Sequence, residues 1–321
     1  MKHFVAAALT LSVALFGTTL PASAAERGPD ARPDASRYAG LLYVSDVFAQ
    51  GVFVCPTGNL RVGFQPPTAQ LEGVSTPTQL AIDSSGTVYV ANGQIDTNGD
   101  GSVAVFPRGQ LRPSRTLTSG LNTATGVAVD ANDNVYVSNK YLGTVSVFTS
   151  GGSQPSETIA GGGLKGPDGL AVDRENDLFI ADSSAIAVFE VPAGSTTPKM
   201  LTLKGLTRPV GVAVDSRGTL YVSNLNAQSS NVVVFAPGAS SPERTLTIPY
   251  APGNSGIGEA MGLSIGPGDM LIVSAFIALF PVDGEWFGGD AVVAGFAPGG
   301  SQPEWYGYGI SAGSAVFQSK Q

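Results

Sequence analysis

Histidine is almost missing from this chain of 321 residues: the only one is His3. It sits in a leader-like segment, so the remainder has none. That excludes the Ser-His-Asp triad, the Cys-His pair, histidine zinc sites and any imidazole base. Chemistry here would have to come from carboxylates, Lys, Tyr, hydroxyls or an oxygen-ligated metal. Cysteine is nearly as scarce. Cys55 stands alone, which excludes an intrachain disulfide, and its setting "GVFVCP" reads as a strand holding a buried, inert thiol. Charge is sparse as well, at 13% of residues. Without Lys2 of the leader, 16 Lys and Arg face 25 Asp and Glu, a formal charge of −9. Such a chain lacks the basic surplus that nucleic acid or anionic membrane demands.

Past the start, no apolar run approaches the length of a spanning helix. The start itself has the layout of a secretory signal peptide. Met1-Lys2-His3 is basic, Phe4 to Phe16 is apolar but for Thr10 and Ser12, and Ala22-Ser23-Ala24 is a small-residue cleavage site. Residues 1–24 are therefore read as a leader and the protein as secreted or periplasmic. No cysteine follows the cleavage point closely, so no lipid anchor is expected. Residues 25–37, "AERGPDARPDASR", are polar and Pro-rich and read as a disordered linker. Residues 38–321 are long enough for one large domain.

What is abundant is turn and repeat. Gly (42) and Pro (22) make up a fifth of the chain, and one phrase recurs. "QLAIDSSGTVYVAN" begins at Gln79, "GVAVDANDNVYVSN" at Gly126, "GLAVDRENDLFIAD" at Gly169 and "GVAVDSRGTLYVSN" at Gly211. A degraded copy, "GLSIGPGDMLIVSA", begins at Gly262. A period of roughly 40–50 residues with several short alternating strands signals a β-propeller. Each unit reads as four strands: a short small-residue inner strand, an alternating second, a third such as "TVSVF", and a fourth such as "SRTLT". At the chain start "GLLYVSD" matches a second strand with no first before it. At the other end "YGISAG", Tyr308 to Gly313, reads as the missing first strand. The expected fold is all-β: a six-bladed β-propeller of four-stranded antiparallel blades, closed by a C-terminal strand joining the N-terminal blade.

The pattern Gly-(Val/Leu)-Ala-Val-Asp, turn, (Tyr/Phe)-(Val/Ile)-(Ser/Ala)-(Asn/Asp) resembles the NHL-repeat propellers over nearly the whole chain after the leader. The resemblance implies the fold and little about activity, because such propellers serve as enzymes, scaffolds and binding modules. The segment "GPDGLAVD", Gly166 to Asp173, is similar to one in the senescence-marker-protein/gluconolactonase propellers. That likeness implies a divalent metal over the channel, with Asp168 as one ligand. Thr78, Thr125, Val210 and Met261 hold the equivalent positions, and Glu259 lies two residues out of place.

Topology puts the turns after Asp83, Asp130, Asp173 and Asp215 on one face, the bottom, as turn-forming carboxylates. The long segments 93–101, 225–230, 248–261 and 280–290 fall on the other, the top. There the second strands end in Asp46, Asn92, Asn139, Asp182 and Asn224, a candidate ligand-binding collar unless each side chain bonds its own following loop. Asp96, Asn98 and Asp100 in "DTNGDG" open like a calcium loop and are candidate metal ligands. Ala104 and Pro107 stand where a helical calcium hand needs its later oxygens. Trp286 and Phe287, in a Gly-rich top segment, are candidates to stack on a ligand, whereas Trp305 in "EWYGYG" is expected to pack at the ring closure. The expectation is a monomer that binds a protein partner, small molecule or glycan on its top face, without nucleic acid or membrane insertion. The alternative is a calcium-dependent hydrolase or lactonase with Asp168 and Glu259 as its catalytic candidates.

Overall fold

The computed structural model describes residues 40–46, 50–56, 67–93, 101–225, 230–247, 257–278, 290–308 and 315–319. They form six four-stranded antiparallel sheets. Blade 1 holds β1 (Gly40–Asp46), β2 (Gly51–Pro56) and β3 (Ala69–Leu71); blade 2 holds β4 (Pro77–Ile82), β5 (Val88–Asn92), β6 (Ser102–Phe106) and β7 (Arg115–Leu117). Blade 3 is β8 (Ala124–Val129) to β11 (Glu157–Ile159), blade 4 is β12 (Pro167–Val172) to β15 (Lys199–Met200), and blade 5 is β16 (Pro209–Val214) to β19 (Arg244–Leu246). Blade 6 runs from β20 (Ile257–Gly266) through β21 (Met270–Ala278) and β22 (Asp290–Phe296) to β23 (Pro303–Tyr308). The last strand, β24 (Ala315–Ser319), pairs antiparallel with β1, with Leu42 opposite Phe317, and completes blade 1. Closure therefore occurs as the repeat count implies, but on other residues. Tyr308, read above as the start of the closing strand, ends the outer strand of blade 6 instead. Among the described residues no helix is long and apolar enough to cross a membrane.

The core is divided among the seams between blades. Six apolar clusters are found, one at each seam. Tyr89, Val103, Val127, Val137 and Phe148, for example, join blades 2 and 3. At the closing seam Leu42, Val44 and Cys55 of blade 1 meet Met270, Ile272, Val293 and Trp305 of blade 6. Trp305 is buried there and its indole N–H points to the Met270 sulfur at 3.2 Å, so it packs at the closure as expected. Strand-three ends supply Phe106, Phe148, Phe235 and Phe296, all fully buried. Each such side chain contributes about 1.5–3 kcal/mol of burial, which explains why the repeat keeps apolar residues where the seams need them.

Two further regularities position the faces. In blades 2 to 6 the pairing between inner and second strands slips by one bulge near the start of the inner strand. The residues at that level are Gln79, Gly126, Gly169, Gly211 and Gly262. On the bottom, the fourth residue of each Asp turn reaches the neighbouring blade where it has a polar side chain. Asp133 accepts from the Ser84 hydroxyl, Asn176 from the Ala131 N–H, and Asp269 from the Ser216 N–H. These bonds tie blades 2–3, 3–4 and 5–6. Gly86 and Gly218 hold the same turn position without a side chain to offer.

Blade 6 departs from the rest. Its first two strands run 10 and 9 residues, against 6 and 5 in blade 3. Residues 257–260, expected in a top loop, pair with 275–278 instead. At a rise of about 3.3 Å per residue, this hairpin stands more than 10 Å above the ring.

Candidate functional site

The bottom turns follow one design. The Asp130 carboxylate accepts the Asn132 and Asn134 N–H groups, each at 2.9 Å, and the Tyr136 hydroxyl at 3.1 Å. Asp83 is held likewise by Ser85, Thr87 and Tyr89, and Asp215 by Arg217, Thr219 and Tyr221. Burial works to raise the Asp83 and Asp215 carboxyls, but the hydrogen bonds overcome it and hold both below the usual range. Burial, reinforced by the neighbouring carboxylate, pushes the Tyr89 and Tyr136 hydroxyls up to about 12. Blade 4 has Phe179 in the tyrosine position, so Asp173 keeps only its backbone bonds from Glu175 and Asp177. Its carboxyl is raised, by burial first and then by repulsion from Asp177 and Glu175. These aspartates are turn locks, as the sequence pattern suggested.

The five collar residues are all buried: Asp46, Asn92, Asn139, Asp182 and Asn224. In four of them the carbonyl or carboxylate oxygen is engaged by the link that precedes the blade. Asn92 accepts the Ser75 N–H, Asn139 the Asn122 N–H, and Asn224 the Thr207 and Arg208 N–H groups. Asp182 accepts from Lys165 and Gly166 before it and from Ser184 and Ala185 after it. The bonding thus reaches 16–17 residues backward, where the sequence reading considered only the loop that follows. Each of these four side chains stitches a second strand to the entry of its own blade, and the Asn92 and Asn139 amides also donate to the Ser102 and Ser146 hydroxyls of the third strands.

Asp168 occupies a different setting, at the start of the blade 4 inner strand. It is 7% exposed, one oxygen is ion-paired with Lys140 of the blade 3 hairpin, and the other is buried with no hydrogen-bond partner. Lys140 belongs to a hairpin whose sequence no other blade shares, and the repeat pattern gave no sign of it. The Asp168 carbonyl accepts the Ser138 hydroxyl at 2.8 Å. Gln79 braces the same region from blade 2. Its amide donates to the Leu170 carbonyl at 2.7 Å, and its oxygen accepts the Leu170 N–H at 3.0 Å and the Val127 N–H at 3.3 Å. Blades 2, 3 and 4 are thereby stapled across the channel. Gly126 must be glycine beneath this crossing, because a Cβ there would come within 2.1 Å of the Asp168 carbonyl oxygen. Below Gln79 the inner strands line a cavity of about 190 Å³ whose side chains are mostly aliphatic, such as Ala81, Val127, Val172 and Val212.

The described residues around Asp168 do not fit a divalent cation. They offer one carboxylate, which Lys140 already neutralises, beside Thr78 and Thr125 hydroxyls bonded to backbone carbonyls. Among the described residues no three His, Cys, Asp or Glu cluster as a metal site. The Glu259 side chain, the calcium candidates Asp96, Asn98 and Asp100, and the pair Trp286 and Phe287 lie outside the described residues. Cys55 is buried and its thiol is pushed up to about 12 by desolvation, which makes it a poor nucleophile.

The top face over blades 3 and 4 carries the exposed apolar groups. Of the five large hydrophobic residues that are well exposed among the described residues, Tyr141 (67%), Leu142 (58%) and Ile186 (55%) cap the two hairpins there. The hairpins meet at the intervening link, where a Cβ on Gly166 would touch Ser184 and one on Gly143 would touch the Lys165 carbonyl.

Comparison with known proteins agrees with this architecture. No family model matches the chain, and no curated protein matches it in sequence. Solved structures do. One in a nidogen/laminin complex has a TM-score of 0.63 at 13% identity, covering 88% of this chain and 99% of that one. A protein from Lactobacillus plantarum has a TM-score of 0.59 at 14% identity, over 87% and 99%. Hydrazine synthase of Kuenenia stuttgartiensis has 0.52 at 16% identity, over 74% and 68%. The likeness is one of fold alone.

Proposed function

We propose that this is an exported propeller of NHL type that binds a protein partner or small ligand on its top face, over blades 3 and 4. One observation carries the reading. The side-chain oxygens of Asn92, Asn139, Asp182 and Asn224 are engaged by backbone N–H groups, whereas Tyr141, Leu142 and Ile186 stand exposed on the hairpins of blades 3 and 4. Exposed apolar groups of this size beside polar rims mark interaction sites. A chain without histidine beyond its third residue, whose lower aspartates serve as turn locks, offers little for acid–base catalysis.

The test is a screen of soluble glycans, lactones and peptides for shifts in melting temperature. Any binder should lose most of its effect in a Tyr141→Ser/Leu142→Ser variant and keep it in Asn176→Ala on the opposite face. A binder with the reverse dependence would overturn the assignment. The gluconolactonase-like alternative requires a metal shell completed by residues other than Asp168; a calcium series in the same melting assay addresses it directly.

A further inference from the structure

The half of the top face over blades 3 to 5 differs in charge from the rest of the protein. The chain as a whole carries a formal charge of −8. The described carboxylates on this half are Asp168 and Asp182, both buried. Asp168 is paired with Lys140, and Asp182 is consumed by four backbone N–H groups. Apart from Lys204, whose backbone bonds the outer turn of blade 5 at Ser240, two cations remain over. Lys165 ends the link into blade 4 and Arg208 ends the link into blade 5; both are exposed, and neither is in an ion pair among the described residues. The acids of these blades lie mainly on the bottom, in the turns at Asp130, Asp133, Asp173, Glu175, Asp177 and Asp215. Arg174 and Arg217 share those turns but are outnumbered by the acids, so the two faces differ in net sign.

In ring order the blade 4 hairpin that carries Ile186 lies between the links holding Lys165 and Arg208, and the Ile186 backbone is out of place. It adopts φ 57°. In blade 3 the corresponding hairpin position is Gly143, at φ 64°. Left-handed geometry is a true outlier for a β-branched residue and carries a backbone cost. At 55% exposure, Ile186 recovers only part of that by burial. A strained, exposed aliphatic side chain on a hairpin flanked in ring order by two links with unpaired cations is a reason to look for an occupant.

Resting on the top-face reading above, we infer that the occupant is an acidic peptide segment bearing an aliphatic or aromatic side chain, docked across blades 3 to 5. Its carboxylates meet Lys165 and Arg208, and its apolar residue packs on Ile186, Leu142 and Tyr141. Charge complementarity selects the sign of the partner. The spread of these groups over three blades suits a chain segment rather than a small anion. Two spare cations are too few to hold a nucleic acid backbone.

The experiment is selection of a random-peptide phage library on the whole protein, followed by binding of the enriched peptides in solution. The expected peptides carry Asp or Glu near Leu, Ile or an aromatic. Their affinity should fall at least tenfold in Lys165→Glu/Arg208→Glu and severalfold in Ile186→Asn, and should weaken as salt rises. Asn tolerates the left-handed conformation, so Ile186→Asn keeps the hairpin; an unchanged melting curve for each variant separates lost binding from lost folding. Enriched peptides that need Tyr141 and Leu142 but are neutral or basic would sink this inference and leave the top-face reading standing. Peptides that are indifferent to every top-face change but lost on Asn176→Ala would sink both. Failure to enrich any peptide, or stronger binding to phosphatidylserine vesicles than to peptide, also refutes the inference.

Discussion

Replacing Gln79 by glycine tests the cross-channel staple with the least collateral change, because glycine is what the corresponding positions 126, 169, 211 and 262 carry. The substitution removes three hydrogen bonds to the backbone of Val127 and Leu170. At about 1 kcal/mol net for each, that is a loss of about 3 kcal/mol. Freed side-chain entropy returns about 1.5 kcal/mol, and the looser glycine backbone costs about 0.5–1 kcal/mol. The balance is a destabilisation near 2 kcal/mol, or a fall in Tm of about 4–8 °C. Thermal melting by circular dichroism reads it. Gln79→Glu sharpens the test. A carboxylate cannot donate to the Leu170 carbonyl but a protonated carboxyl can, so the folded pKa of the new group should lie above its ordinary value near 4.3. The stability of Gln79→Glu relative to the parent should then be greatest below that value and decline as pH rises through the folded pKa. A Gln79→Gly melting curve that overlays the parent, or a Gln79→Glu deficit that grows in acid, would show that the amide does not join the three blades.

Three further outcomes follow from the turn locks and the crowded inner strands. Phe179→Tyr should supply Asp173 with the hydroxyl the other three turns possess, raising stability by about 1 kcal/mol in a denaturant titration. The Tyr89 and Tyr136 hydroxyls are raised in the fold to about 12. Their contribution is therefore complete below pH 10 and is lost as pH climbs from about 10 to about 12. Tyr89→Phe/Tyr136→Phe should be less stable at neutral pH and flatter across that alkaline window. Gly126→Ala, which drives a methyl into the Asp168 carbonyl, should cost about 1–3 kcal/mol by overpacking and weaken any top-face binder. Gly109→Ala meets no neighbouring atom but sits at φ 74°, so it reads backbone strain of about 1–2 kcal/mol without a clash and separates the two costs.

Much of this was legible from periodicity. The recurring Asp turn marked four blades and the role of their carboxylates, and counting inner strands from Gln79 to Gly262, with the expected closing strand, gave the ring size. Residue types alone did not show which strand closes the ring. "YGISAG" resembles an inner strand in its small residues, yet β24 uses "AVFQS", whose pairing depends on the whole ring being in place. The extended blade 6 was hidden because its copy of the repeat is degraded. The collar's bonding was not legible for a physical reason: a polar residue at a strand end advertises a hydrogen bond without naming its partner, and for Asn92, Asn139, Asp182 and Asn224 partners lie in the preceding link. Gln79 and Ile186 were readable in principle, as departures from glycine in aligned repeats. Their meaning came only with the crossing to Leu170 and the positive φ. Lys140 left no trace in the repeat at all.

Closure by β24 also dictates an order of events. The edge of β1 that Ala315–Ser319 will occupy stays unpaired until that segment has been made and docks. During that interval blade 1 is an open sheet, and open edges recruit strands from other molecules. Synthesis speed, and whatever chaperone attends the nascent N-terminal blade, therefore decide whether the ring closes on itself or on a neighbour. A tag or fusion placed directly after Ser319 sits at the point where that choice is made.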